Sequence, residues 1–162
     1  EERDAMLALV GVEDDDHGRR LTALAERTLR ERVKLFGLQP FSAVPEFLAL
    51  ADVIVIPQRE TAATIGQMPA KLYDAMAMAK PIVATSVSDI PDALEGCGWL
   101  VPPGSPPELA RAIGEALSDP ERAERMGSRA REKCEREFSW DAMERALESA
   151  LEPLGRAAGQ RP

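Results

Sequence analysis

Short uninterrupted apolar runs alternate along this chain with segments whose apolar residues recur at helical spacing. The first run, AMLALVGV from Ala5 to Val12, has the length of a buried strand, and a helical pattern follows from about Arg19 to Arg30. RVKLFG, ending at Gly37, is the next strand. Phe41 to Ala51 predicts a short helix with Pro45 near its start and Phe47, Leu48 and Ala51 on one side. Val53-Ile54-Val55-Ile56 is β-branched throughout and closed by Pro57, which suits a parallel strand covered on both faces. After a polar loop (Gln58 to Gln67) the pattern predicts a helix from Pro69 to Ala79, with Pro in its first position and Leu72, Ala75, Met76 and Ala79 on one face. PIVAT (Pro81 to Thr85) and GWLVP (ending at Pro102) complete the strands. Strands and helices alternating with short connections predict an α/β fold, a Rossmann-like parallel sheet with helices on both faces.

The last third reads as purely helical. Ser105-Pro-Pro-Glu108 is a capping box ahead of Leu109, Ile113 and Leu117. Asp119-Pro120 opens a second helix with Met126, Ala130, Cys134 and Phe138 in line. Ser139 caps a third, where Phe138 is expected to staple onto Met143 and Met143, Leu147, Ala150, Leu151 and Leu154 to form a buried stripe. Residues 1–154 are thus expected to form one domain, and the tail from Gly155 (155–162) to fray.

Composition narrows the function classes. A chain of 162 residues, 44% hydrophobic and 30% charged, belongs with globular proteins. No apolar run approaches the roughly 20 residues needed to span a bilayer. The opening Glu1-Glu2-Arg3-Asp4 carries neither a signal peptide nor an initiator Met, so the chain is expected to be an excised piece. Cys97 and Cys134 are expected to be reduced thiols, and with His17 the single histidine no metal site is expected. A net charge of −8 argues against nucleic acid as a partner but not against a nucleotide diphosphate, which backbone N–H groups at a helix N-terminus can bind. The acidic run Glu13 to Asp16 reads as a solvated turn.

Candidate chemistry concentrates in GQMPAKLYDAMAMAKPIVAT, Gly66 to Thr85. Backbone N–H groups of Gly66, Gln67, Met68 and Ala70 lie where a loop enters a helix, and an anion is stabilised there by the helix dipole. Lys71 can add a point charge to a phosphate. Asp74, one turn further on, can accept two hydroxyls of a ribose. The plain alternative is an exposed i,i+3 ion pair of Lys71 with Asp74, worth a few tenths of a kcal/mol. Met76 and Met78 read as core fillers.

The blocks VPEFLALADVIVIP, PAKLYDAMAMAKPIVAT, GWLVPPGSPPELARAI and EREFSWDAM, in that order, closely resemble the C-terminal domain of glycosyltransferase family 4, from about Ala5 to Leu154. The resemblance implies one half of a GT-B glycosyltransferase, two Rossmann-like domains with the active site between them, whose second domain binds the nucleotide-sugar. A helix-borne Glu holds the ribose in that family. Asp74 stands in the matching position, one methylene shorter. A second family glutamate, which contacts the donor sugar, would fall on Gly66 and is absent; Glu60 is the nearest substitute, with an ordinary loop acid as its plain reading. The segment Pro69-Ala70-Lys71 matches a subgroup with Pro-x-Lys ahead of the acid.

Gly37, Leu38 and Gln39 match the loop whose backbone holds the base, against the plain reading of a turn. Gly11 and Gly18 are the glycines left to approach the donor after the first strand. The family's other diphosphate-binding Arg/Lys pair would lie before the aligned region. The implied reaction is transfer of a sugar from a nucleoside diphosphate sugar, UDP first and GDP next, to an acceptor hydroxyl, with retention and without a bound metal. The implied partner is an N-terminal acceptor-binding domain of the same protein. The implied setting is the cytoplasm, with peripheral association at the inner face of the membrane. Two other classes compete. A sugar-nucleotide epimerase would want more catalytic acids and a histidine in its cleft. A phosphoacceptor receiver domain would want an Asp where the strand VIVI ends in Pro57.

Overall fold

The computed structural model describes residues 5–158, with side chains described to residue 152. Five strands and seven α-helices follow one another in these residues: β1 (Leu7–Val10), α1 (Asp16–Leu29), β2 (Val33–Phe36), α2 (Val44–Leu50), β3 (Ile54–Ile56), α3 (Ala70–Ala77), β4 (Ile82–Thr85), α4 (Ile90–Leu94), β5 (Trp99–Val101), α5 (Pro106–Ser118), α6 (Pro120–Glu137) and α7 (Trp140–Ala158). The chain divides into two units, Glu1–Phe47 and Leu48–Pro162. The α/β reading with parallel strands holds, but the strands form two sheets, one in each unit: β1-β2 in the first and β3-β4-β5 in the second.

In the first unit β1 pairs in parallel with β2, Leu7 opposite Val33 and Val10 opposite Phe36. β1 was expected to be buried, yet Leu7 and Val10 are exposed, because β1 belongs to a sheet of only two strands. The acidic run is more than a solvated turn. Asp15 caps α1 by accepting from the Gly18 N–H at 2.6 Å, while Asp14 and Asp16 both pair with Arg19. Both glycines considered for donor contact also have contacts within the fold. A side chain on Gly18 would collide with the Glu13 carbonyl, and Gly11 (φ +84) donates its N–H to Phe36 at the end of β2. The segment from Phe41 opens as a 3-10 turn, Phe41–Ala43, before α2 begins at Val44, and Phe47 stands edge-on to Phe36.

In the second unit β4 is buried along its whole length, and its alternation separates two cores. Ile82 and Ala84 face Ile56, Leu72, Met76, Ile90, Leu94 and Ala130, brought by β3, α3, α4 and α6. Val83 faces the other way, onto Trp99, Val101, Ala112, Ala116 and Ala123. A central parallel strand covered on both faces has this pattern. Full burial of each of Leu72, Met76 and Ile82 contributes about 1.5–3 kcal/mol.

Several expectations are corrected in this unit. Pro69 is the residue before α3 rather than its first residue, and the helix ends earlier than expected because Ala79 takes a left-handed φ of +54. α4 was not expected, although Asp89, Pro91 and the left-handed Gly96 mark its ends. Ser105 makes no capping hydrogen bond. Pro106 and Pro107 leave few N–H groups for it to cap, and the Glu108 carboxylate is held by Arg111. The stripe of α7 is exposed, not buried: Met143 is 56%, Leu147 58% and Leu151 51% exposed. Ser139 does cap α7, accepting from Ala142, and the helix takes in Gly155 to Ala158 of the tail expected to fray; 159–162 lie outside the described residues.

Candidate functional site

Three-residue β3 is closed by Pro57, where the chain leaves the C-terminal edge of a parallel sheet, the edge at which α/β proteins bind ligands. Residues 57–69 return it to the N-terminus of α3. This segment carries most of the candidate residues in one continuous stretch. Gly66, Gln67 and Ala70 are exposed, and Met68 is half-buried with its side chain against the core below β3 and β4.

The four candidate N–H donors are not equivalent. Gln67 donates to the Thr64 carbonyl at 3.3 Å, so its N–H is engaged within the loop. The N–H groups of Gly66, Met68, Ala70 and Lys71 donate to nothing among the described residues. Pro69 has no N–H, and its carbonyl accepts from Leu72. The groups left available thus cluster in the first turn of α3, where the helix dipole is positive.

Lys71 is exposed and Asp74 half-buried, and the two form no ion pair. The plain alternative for these residues therefore loses its contact. The Asp74 carboxylate has no hydrogen-bond partner among the described residues and stands near α6. There burial pushes the Cys134 thiol above its ordinary pKa, with the charges of Glu135 and then Asp74 adding to the rise. Cys134 points its Sγ at the Tyr73 carbonyl, and the Tyr73 and Phe138 rings meet at a tilt with centroids 4.9 Å apart, so the helix turn bearing Asp74 is packed onto α6. A half-buried carboxylate on a fixed helix, lacking an internal donor, can accept two hydroxyls from outside.

Glu60 is exposed, and its side chain makes no hydrogen bond among the described residues. Gly37, Leu38 and Gln39 belong to the first unit. All three are exposed, and the Gln39 side chain turns back to donate to the Gly37 carbonyl at 3.2 Å. Gly37 borders a cleft of 390 Å³ lined also by Val12, Glu13, Gly18, Arg19 and Phe36.

Three threonines bond within this loop or to it. Thr85, at the end of β4, donates its hydroxyl to the Gln58 carbonyl at 2.7 Å and is buried. Thr61 and Thr64 bond to each other and to the loop backbone. Their three-residue spacing was a visible signal of a local turn. Among the described residues there is no group of three or more His, Cys, Asp or Glu side chains able to hold a metal ion. No described helix is long and apolar enough to cross a membrane.

WcaL of Salmonella typhimurium, a glycosyltransferase named for colanic acid biosynthesis, is 35% identical over 143 residues, covering 84% of this chain and 35% of that protein. The amylovoran biosynthesis glycosyltransferase AmsK of Erwinia amylovora is 33% identical over 141 residues, covering 82% of this chain and 33% of its own length. The chain thus spans about a third of the length of these relatives. Among solved structures, sucrose-phosphate synthase from Thermosynechococcus elongatus superposes with a TM-score of 0.79 at 28% identity, over 94% of this chain and 39% of that one. Anabaena HepE in complex with UDP-glucose shares the fold with a TM-score of 0.75 at 23% identity, over 91% of this chain and 41% of that one. The architecture is that of GT-B glycosyltransferases. The family model for glycosyl transferases group 1 matches residues 1–119, and the chain belongs to that family.

Proposed function

We propose that this chain is the donor-binding part of a glycosyltransferase, holding a nucleoside diphosphate sugar at the N-terminus of α3. Asp74 carries the reading: it is a half-buried carboxylate in the second turn of a helix that starts at the ligand edge of a parallel sheet, without a partner of its own among the described residues. In this reading Asp74 accepts hydrogen bonds from the ribose hydroxyls. The N–H groups of Met68, Ala70 and Lys71, with the Lys71 ammonium, face the diphosphate. Glycosyl transfer makes the diphosphate a leaving group, so negative charge grows on its oxygens, and preorganised N–H donors and a cation stabilise it most in the transition state. UDP is the nucleotide we propose, supported by UDP-glucose in HepE, whose fold this chain shares. Transfer to an acceptor hydroxyl with retention, by a protein that contributes its acceptor site from a further domain, extends the same reading from the family.

Calorimetric titration with UDP and with uridine tests it. Asp74→Asn keeps the size of the side chain but exchanges one acceptor oxygen for a donor. It should cost about 1.5–3 kcal/mol of UDP binding, roughly 10- to 150-fold, and a similar factor for uridine, with the urea midpoint nearly unchanged. Lys71→Ala should weaken UDP about tenfold and leave uridine almost untouched. Unaltered UDP affinity in Asp74→Asn would remove the residue from the site. For the exposed turn Gly37, Leu38 and Gln39 we propose, separately, backbone contact with the base.

A further inference from the structure

The loop between β3 and α3 is exposed over most of its length, yet its own side chains, its backbone and one buried neighbour hold it in a hydrogen-bond network. Its start is fixed by Thr85, whose hydroxyl donates to the Gln58 carbonyl at 2.7 Å from a buried position on β4. One residue on, the Arg59 carbonyl accepts from the Thr64 hydroxyl at 2.5 Å. A hydroxyl has one proton to give and two lone pairs to receive with. Having donated to Arg59, Thr64 can accept from the Thr61 N–H at 2.8 Å and from the Thr61 hydroxyl at 3.0 Å. Thr61 in turn accepts from the Thr64 N–H at 3.3 Å. The backbone closes the turn, with Thr64 and Ile65 both donating to the Thr61 carbonyl and Gln67 donating to the Thr64 carbonyl. Beyond Gln67 the network stops, at the residues whose N–H groups have no internal acceptor: Met68, Ala70 and Lys71.

From this we infer that Thr64, with Thr61 and Thr85, is a positioning residue for the donor: the threonine network holds the entry to α3 in its diphosphate-binding geometry before any ligand arrives. Each residue fixed on binding costs conformational entropy, and a loop already fixed escapes that cost. Thr64 touches no phosphate in this account and acts through the backbone it holds. The inference rests on the donor-site reading above.

Thr64→Val keeps the branched shape and removes the hydroxyl, and Thr64→Ser keeps the hydroxyl. UDP and uridine titrations on the whole chain, with amide hydrogen exchange at Ile65 and Gln67, which donate within the loop, in the unliganded protein, decide the matter. Thr64→Val should weaken UDP about tenfold, equivalent to about 1.4 kcal/mol, speed exchange at those amides, and leave uridine affinity and the unfolding midpoint close to those of the parent chain. Thr64→Ser should restore both UDP affinity and slow exchange. Unchanged UDP affinity in Thr64→Val overturns the positioning role. So does an equal loss for UDP and uridine with a lowered midpoint, which identifies a merely structural threonine. A parent chain that binds neither UDP nor uridine overturns the donor-site reading itself, and this inference with it.

Discussion

α6 and α7 are consecutive, nearly equal in length and each marked by an apolar stripe, yet one is built into the molecule and the other is not. The buried face of α6 is made of small residues, Ala123, Gly127, Ala130 and Cys134. α7 carries the larger side chains, Met143, Leu147 and Leu151, and leaves all three more than half exposed. Side-chain size alone would have assigned the core to α7. What α6 gains from small residues is proximity: at Gly127 its backbone approaches the end of α3 so closely that a Cβ would lie 2.1 Å from the Ala79 carbonyl oxygen. That approach brings Cys134 under Tyr73 and steadies the turn that carries Asp74. An apolar stripe shows that a helix has a face to cover; the fit of that face to a neighbour decides whether this chain covers it.

The largest expected effect breaks the α6 side of the comparison. Gly127→Ala places a methyl group against backbone, which cannot rotate away as a side-chain tip can. Forcing α6 away from α3 should cost about 3 kcal/mol, read as a fall in the urea midpoint at constant slope. If Gly127→Ala unfolds at the parental midpoint, the close approach is not what joins α6 to α3.

A smaller effect of opposite sign belongs to Ala79 itself. Its φ of +54 strains an L-residue at the end of α3, where Lys80 donates back to the Ala75 carbonyl. Ala79→Gly removes that strain and loosens the unfolded chain, for a net gain of about 0.5–1 kcal/mol. It should not rescue Gly127→Ala, because the atom that Gly127 nearly touches is the Ala79 carbonyl oxygen and not its side chain. Thermal unfolding of both single variants and the double variant measures this; full rescue would show that Ala79's methyl group sets the spacing.

Much of the second unit was legible because local and tertiary signals agree there. Val53 to Ile56, closed by Pro57, and Ile82 to Thr85, opened by Pro81, are rich in β-branched residues, and both lie in strands of a sheet covered on two faces. Leu72, Ala75 and Met76 fall on the buried face that their spacing predicts. Asp74 and Lys71 could be located on α3 from sequence, but whether they paired with each other could not, since three-residue spacing permits the bond without requiring it. Ser105 failed as a cap for a similar reason: the motif was present, but the adjoining prolines and Arg111 changed its chemistry. The threonine network escaped notice because Thr85 and Gln58 meet only once β3 and β4 pair, twenty-seven positions apart in sequence. The acidic run before α1 was read by its charge, whereas the position of Asp15 just ahead of the helix decided its role.

The smallest expected effect sharpens the α7 side. Leu147 is 58% exposed, so little apolar area returns to water when it is replaced. Leu147→Gln keeps the helix-forming tendency of an unbranched side chain and should change stability by less than about 0.5 kcal/mol. An equivalent truncation in the α3 core, where Leu72 is fully buried, would cost several times as much. Urea unfolding of Leu147→Gln at several protein concentrations is the measurement. A midpoint that matches the parent at every concentration means the stripe on α7 adds nothing to the fold of this chain. A loss above about 1 kcal/mol would mean that Leu147 is covered in solution, and if that loss grew with protein concentration the cover would be a second copy. In the first outcome α6 and α7 differ in kind, one helix stabilising the donor-site turn and the other carrying an apolar face that contributes nothing to folding.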